Sequence, residues 1–272
     1  MAFRMTEFFD THAHLDFPDF DADLSEVVAR AESVGISRII TIGTTLEGSR
    51  RAIALAERFP SVYAAAGVHP GHVDESPAEI REELLTLARH PKVVAIGEIG
   101  LDFYRRPGEP EPDPDSAAAN RAKQFSLFEQ QLEVAAEAGL NVVVHTRDSF
   151  RPTLDRFGPY SSRVRGVFHC WVGTVEEALE VTSLGSLVSF TGIATFKNGS
   201  NVRAAVAAVP AGSFLLETDC PFLAPIPHRG KRCEPSYIQE LAPVLAGVRG
   251  CGLETLSAET CAAARRFFPR MG

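Results

Sequence analysis

The chain has 272 residues, 45% of them hydrophobic and 23% charged, with a formal net charge of −8. That is enough apolar material for a sizeable core, so a globular, soluble protein is expected. The excess of acid makes the whole-molecule field repel a polyanion, which excludes a general nucleic-acid coat protein but not an enzyme whose bound dications reverse the local sign.

No stretch approaches the roughly 20 apolar residues that span a bilayer, and "MAFRMTEFFD" carries charge before any apolar run could act as a signal. No membrane association is expected. The five cysteines, Cys170, Cys220, Cys233, Cys251 and Cys261, are odd in number and include no CxxC pair. Reduced thiols and a cytoplasmic location follow. The length suits one (β/α) barrel, which typically runs to about 250 residues, so a single domain over 1–272 is expected.

Short apolar runs rich in Val, Ile and Phe recur, each followed by an amphipathic stretch. In chain order the predicted strands are 8–14, 37–44, 62–69, 93–100, 141–146, 166–171, 187–192 and 214–219. Between the fourth and fifth lies "AKQFSLFEQQLEVAAEAG", where Phe125, Phe128, Leu132 and Ala135 recur at helical steps before Gly139 stops the helix. Apolar strands alternating with such helices imply parallel strands covered by helices. Eight repeats of the unit predict an α/β fold, a closed (β/α)8 TIM-type barrel. The proline-rich, charged "RRPGEPEPDPDSAAAN" (105–120) interrupts the rhythm and reads as a mobile loop after the fourth strand, either a plain surface excursion or a lid.

In such a barrel the C-terminal ends of the strands form the active face. His12 and His14 lie two apart in "FFDTHAHLD", so in a strand both rings point one way. Glu98, His145, His169 and Asp219 fall at the ends of the fourth, fifth, sixth and eighth strands. Each has a plainer role available, such as a helix cap or an ion pair. Together, six buried polar groups without a cation would carry large desolvation costs, and six donors exceed one tetrahedral site. Two divalent ions sharing Glu98 as a bridge are expected, with Mg, Mn and Zn all compatible with the donors.

The motifs "FFDTHAHLD", "GVHP", "AIGEIGLDFY", "VVVHTRD", "FHCW", "FTGIATFKN" and "LLETDCPFLAP" follow one another in order from about residue 8 to residue 240. In this the chain resembles the TatD family of metal-dependent deoxyribonucleases, a branch of the amidohydrolase-like barrels. The resemblance implies a divalent-metal centre that hydrolyses DNA phosphodiesters, as an exonuclease. It assigns His12, His14 and Asp219 to one ion, His145 and His169 to the second, and Glu98 to both. Cys233 and Cys261 depart from the family pattern, which usually has Asn at both places; neither is a ligand position.

Hydrolysis of a phosphodiester needs hydroxide at neutral pH, which cations supply by lowering the pKa of a shared water. Asp219 is then the expected general base beside Glu98. His69 in "GVHP" is expected to bind phosphate or relay a proton, or else to be hydrogen-bonded near its proline turn. Arg147, Arg229 and Lys231 are candidates for backbone phosphate; the alternatives are an Arg147–Asp148 pair and a solvated basic turn. Cys170 and Cys220 flank His169 and Asp219, and alternation turns them away as packing residues. Phe103, Tyr104 and Trp171 lie near the mouth, as rim packing or as platforms for unpaired bases. The expected substrate is single-stranded or frayed DNA, and no feature marks an obligate protein partner. The rivals are a barrel hydrolase of small or aminoacyl esters and amides, and a scaffold in which metal only stabilises.

Overall fold

The computed structural model describes residues 5–105, 108 and 111–272. Eight strands run parallel in the order in which they occur: β1 Phe8–Ala13, β2 Ile36–Ile42, β3 Val62–Ala66, β4 Val93–Asp102, β5 Asn141–Arg147, β6 Gly166–Phe168, β7 Leu187–Phe190 and β8 Phe214–Leu216. All eight predicted strands form, and helices alternate with them, as the (β/α)8 reading requires. β6 and β8 stop short of the expected 171 and 219 because Cys170 and Asp219 take φ of 50° and 57°, outside the extended region.

The ring closes differently from its other seams. β1 and β8 share only the parallel bridge Ala13–Cys220, supplemented by the His14 N–H to Cys220 carbonyl and Asp219 N–H to His12 carbonyl bonds, at 2.8 and 2.9 Å. Side chains complete the seam. The Thr11 hydroxyl donates to the Leu216 carbonyl at 3.0 Å, and the Asp10 carboxylate accepts from the Thr218 N–H at 3.0 Å and hydroxyl at 2.6 Å.

Alternation along the strands makes two cores. Phe9, Ile40, Val94, Val143, Val167 and Leu215 point inward and fill the barrel, as the layers of a TIM-type barrel do. The outward set, including Phe8, Ile39, Ile96, Val144, Phe168 and Phe190, meets the helices. Phe267, Phe268 and Met271, at and after the end of the last helix α9 (Leu253–Phe267), belong to the inner core. The barrel interior is thereby packed, and the opposite, C-terminal end is left for polar side chains. Cys233 and Cys261 are buried, and among the described residues no cysteine pairs with another. Nor is any helix among them long and apolar enough to cross a membrane.

The predicted 105–120 loop needs correction. α4 spans Pro114–Ala138, so its first two turns lie inside that segment, while residues 106, 107, 109 and 110 lie outside the described residues. Asp113 accepts from the N–H groups of Asp115 and Ser116, and Pro114 occupies the first helical position, where its missing N–H costs nothing. At the other end Gly139 takes a left-handed φ of 65° and caps the helix as expected.

Candidate metal centre

His12 and His14 stand where β1 ends, both buried, with their Nε2 atoms 3.3 Å apart. The pair is held from below. Asp10, of the same parity and fully buried, accepts the His12 N–H at 3.3 Å as well as the two groups of Thr218, fixing the first strand to the segment that carries Asp219. Burial raises the Asp10 carboxyl to about 7 against those hydrogen bonds. Asp219 Oδ1 lies 3.6 Å from His12 Nε2 and 3.4 Å from His14 Nε2.

Glu98 occupies the centre, and its two oxygens face different groups. Oε2 lies 3.3 Å from His12 Nε2 and 3.9 Å from His14 Nε2. Oε1 lies 2.6 Å from His169 Nε2, 2.8 Å from His145 Nδ1 and 3.5 Å from His69 Nε2. The glycines of "GEIG" permit this. At Gly97 a Cβ would stand 2.6 Å from that of Val143, and at Gly100, with φ 139°, it would stand 2.0 Å from the His145 carbonyl oxygen. Any larger residue would push β4 off β5 and separate Glu98 from His145.

His145 is gripped at both nitrogens, since Asp102 Oδ2 lies 3.0 Å from its Nε2 while Nδ1 faces Glu98. Asp102 is set in turn by Gln124 of α4, whose side chain accepts the Asp102 N–H at 2.9 Å and donates to its carbonyl at 3.1 Å. His169 Nδ1 points toward Glu217 Oε1 at 3.6 Å, and that oxygen accepts the Cys170 N–H at 2.7 Å. Two groupings arise from position alone, His12–His14–Asp219 and His69–Glu98–His145, with His12–His169–Glu217 overlapping the first. His69 differs from the others in one respect. Its Nδ1 accepts the Gly71 N–H at 2.9 Å, so the neutral ring carries its proton on Nε2 and presents a donor toward Glu98.

The donor set calls for positive charge. Four imidazoles offer Nε2 or Nδ1 toward two carboxylates in a buried space, and the Nδ1 atoms of His12 and His14 are buried without hydrogen-bond partners. Burial alone would raise the Glu98 carboxyl, yet His169, His69 and His12 hold it well below its ordinary range. Conversely, burial disfavours protonation of His169, but Glu98 and Glu217 push its pKa well above the ordinary value. A divalent ion would satisfy the same carboxylates and give the converging nitrogen lone pairs a partner.

A cavity of about 480 Å³ opens over this cluster, lined by His145, Thr146, Arg147, His169, Asp219 and Phe222 among others. Arg147 therefore reaches the site. Its guanidinium lies 3.5 Å from the centroid of the Tyr104 ring, and no ion pair with Asp148 forms. Arg229 and Lys231 do not line that cavity. They lie on the exposed segment following β8, where Arg229 sits 3.8 Å over the Phe196 ring. Cys220 is fully buried as expected, whereas Cys170 lines the cavity, its positive φ having broken the alternation. Phe103 packs against Phe125, and Trp171 is buried edge-on to Phe150. Sequence reasoning missed Asp10, Asp102 and Glu217. A signal existed for each, because they share strand parity with His12, Glu98 and Asp219.

Comparison with known proteins agrees with this geometry. The sequence profile of TatD related DNases matches residues 9–269. An uncharacterized metal-dependent hydrolase, YabD, of Bacillus subtilis is 35% identical over 261 residues, covering 96% of this chain and 98% of that protein. A protein of Erwinia billingiae named 3'-5' ssDNA/RNA exonuclease TatD is 36% identical, with 96% and 98% covered. Among solved structures, YJJV, a TatD homolog from Escherichia coli, superposes with a TM-score of 0.88 at 29% identity, covering 98% of this chain and 99% of that one. On the extent of these matches, the chain belongs to the family of TatD-related DNases.

Proposed function

We propose that this protein is a divalent-metal-dependent exonuclease that hydrolyses phosphodiester bonds of single-stranded or frayed DNA. The observation that carries the reading is the division of Glu98, one oxygen toward His12 and His14 and the other toward His145 and His169. In this reading His12, His14 and Asp219 would hold one ion and His145 and His169 a second, with Glu98 a ligand available to each. The ions, Mg, Mn or Zn, supply Lewis acidity toward the phosphoryl oxygens and a water acidic enough to be a nucleophile at neutral pH.

The chain's own groups do the rest. Asp219 is ionised, since His14 and His12 outweigh the effect of its burial, and it lines the cavity, where it orients the attacking water and takes its proton. His69, fixed with its proton on Nε2, donates to a phosphate oxygen. Arg147, braced by Tyr104, holds the phosphate from the opposite side. Arg229 and Lys231 contact phosphate further along the strand. The cytoplasm suits such a protein, with its unpaired thiols.

The test is a pair of substrates and a chelator. Full chelation should abolish cleavage of end-labelled single-stranded DNA, Mg or Mn should restore it, and the product ladder should shorten from one end. Turnover of small carboxylic esters with no cleavage of DNA would move the assignment to a small-molecule hydrolase. Full activity after metal removal would refute the metal centre.

A further inference from the structure

Among the described residues six large hydrophobic side chains are exposed, and four of them, Tyr104, Val172, Phe222 and Ile226, follow the C-terminal ends of β4, β6 and β8. Single exposed apolar groups are ordinary on any surface, but Val172 and Phe222 line the cavity over the centre and Tyr104 packs on Arg147 in its wall, which marks a contact surface. Phe222 is the member closest in function to the centre. It is 51% exposed and lines the same cavity as Asp219, with Thr146 and Arg147 also in its wall. Its ring stands edge-on to His14 at 6.2 Å and to Phe17 at 6.0 Å, so neighbours fix it while half its surface stays open. Arg147 rests on an aromatic face and among the described residues no carboxylate pairs with it, so its charge is available to an anion. At about 480 Å³ the cavity falls within the roughly 300–1,000 Å³ of small-molecule sites.

An aromatic face and an uncompensated guanidinium in one cavity match a ring joined to a phosphate. We propose that Phe222 is the stacking platform for an unpaired nucleobase next to the bond that is cut, with Arg147 taking the phosphate of that nucleotide. The proposal rests on the nuclease reading and deepens it. Every base has a π face, so the platform tolerates sequence. It does not tolerate a duplex interior, where each base face is covered by its neighbours. Strand selection follows from the rim without any contact to a base edge.

The test compares wild type with Phe222→Leu, which keeps apolar cover over His14 but has no ring, and with Phe222→Trp, which has a larger one. The substrates are a single-stranded hexanucleotide, the same strand with an abasic residue beside the cleaved bond, and bis(p-nitrophenyl) phosphate. The ratio of kcat/KM on DNA to that on the small diester should fall about tenfold in Phe222→Leu, mainly through KM, in line with the stacking lost per base. Phe222→Trp should restore it. The abasic strand should cost wild type a similar factor and Phe222→Leu far less. An unaltered ratio in Phe222→Leu, or abasic DNA cut as well as normal DNA by wild type, overturns the platform while leaving the nuclease intact. If wild type cuts the small diester and no DNA, the nuclease reading itself fails. The platform is then decided by fluorescence anisotropy of the labelled hexanucleotide, where equal binding by wild type and Phe222→Leu overturns it and weaker binding by the variant upholds it.

Discussion

The two candidate ligand groups on either side of Glu98 are built to different standards. In the group at the barrel seam, His12 and His14 have side chains 0% and 5% exposed, and Asp10 ties both strands beneath them with buried hydrogen bonds. On the other side of Glu98, His145 is 15% exposed, His69 beside it 19% and Asp102, the support of His145, 20%, while His169 is buried at 6% and Asp219 of the first group reaches 13%. A buried, tightly supported group gives up an ion slowly; a more open one, braced from one helix, exchanges with solvent. The cavity touches both halves, through Asp219 of the first and His145 and His169 of the second, so the difference between them lies in their support and not in access alone.

The change that breaks both halves should have the largest effect. Glu98→Ala removes the shared carboxylate, so metal content and hydrolysis should both collapse, beyond the roughly 10–100-fold that loss of an outer partner costs a metal site. Elemental analysis with turnover checks this, and two retained ions with wild-type rates would dismiss the partition. Next, stepwise chelation should remove metal in two stages separated by about tenfold or more in apparent affinity, the range over which outer partners tune such sites. Activity should disappear with the first ion lost, and release in one stage would equate the two halves.

The supports themselves separate the comparison further. Asp102→Ala should weaken one ion by about 10–100-fold with the melting temperature of the metal-free protein little changed. Asp10→Ala should act the other way, costing about 2 kcal/mol or more of stability in the metal-free protein because it strands the Thr218 hydroxyl and two N–H groups in the interior. Equal melting temperatures for these two variants would remove the distinction.

The smallest expected effect lies outside the site, where the segment after β8 is tied to the first helix α1 (Leu24–Ser33). Arg232 holds Asp23 with two bonds of 2.7 Å, and Arg30 adds a third at 3.2 Å. The hydrogen bond from Arg232, with that from Arg30, depresses the Asp23 carboxyl to about 2 from an ordinary 3.8. Because the folded value is the lower one, the stabilisation is complete above about pH 4 and is lost as pH falls toward 2. Asp23→Asn should melt slightly below wild type near neutrality, and the gap should close across that window and shrink in high salt. A gap independent of pH would mean that the carboxylate charge is not what holds the segment.

Much of this was legible in the sequence because a parallel barrel writes itself as apolar runs of strand length, and because strand parity carries a ligand set. His12 and His14 obey that parity, as do Asp10 and Glu217, one step inside the polar residue at the end of each strand, and Asp102, which lies beyond the predicted strand end at residue 100. Two features were harder. Cys170 reaches the cavity because a single left-handed φ of 50° reverses the expected alternation, and no periodicity encodes that. The start of α4 was misjudged for the opposite reason. Asp113–Pro114 is a helix-initiating pair, but the run of prolines around it has the composition of a loop interior. Arg229 and Lys231 stand just past a strand end in sequence, yet neither lines the cavity, and Arg229 lies instead over the Phe196 ring.

The seam between β1 and β8 has a consequence for when the molecule becomes active. Asp10 and Thr218 are separated by 208 residues, and His12, His14 and Asp219 meet only across that join. Contacts so distant along the chain are late and slow to form in folding. During synthesis the first strand must wait for almost the whole sequence to emerge before its histidines gain their carboxylate. A partly made or partly opened chain therefore lacks the assembled site, and the proposed nuclease activity is withheld until the ring is shut.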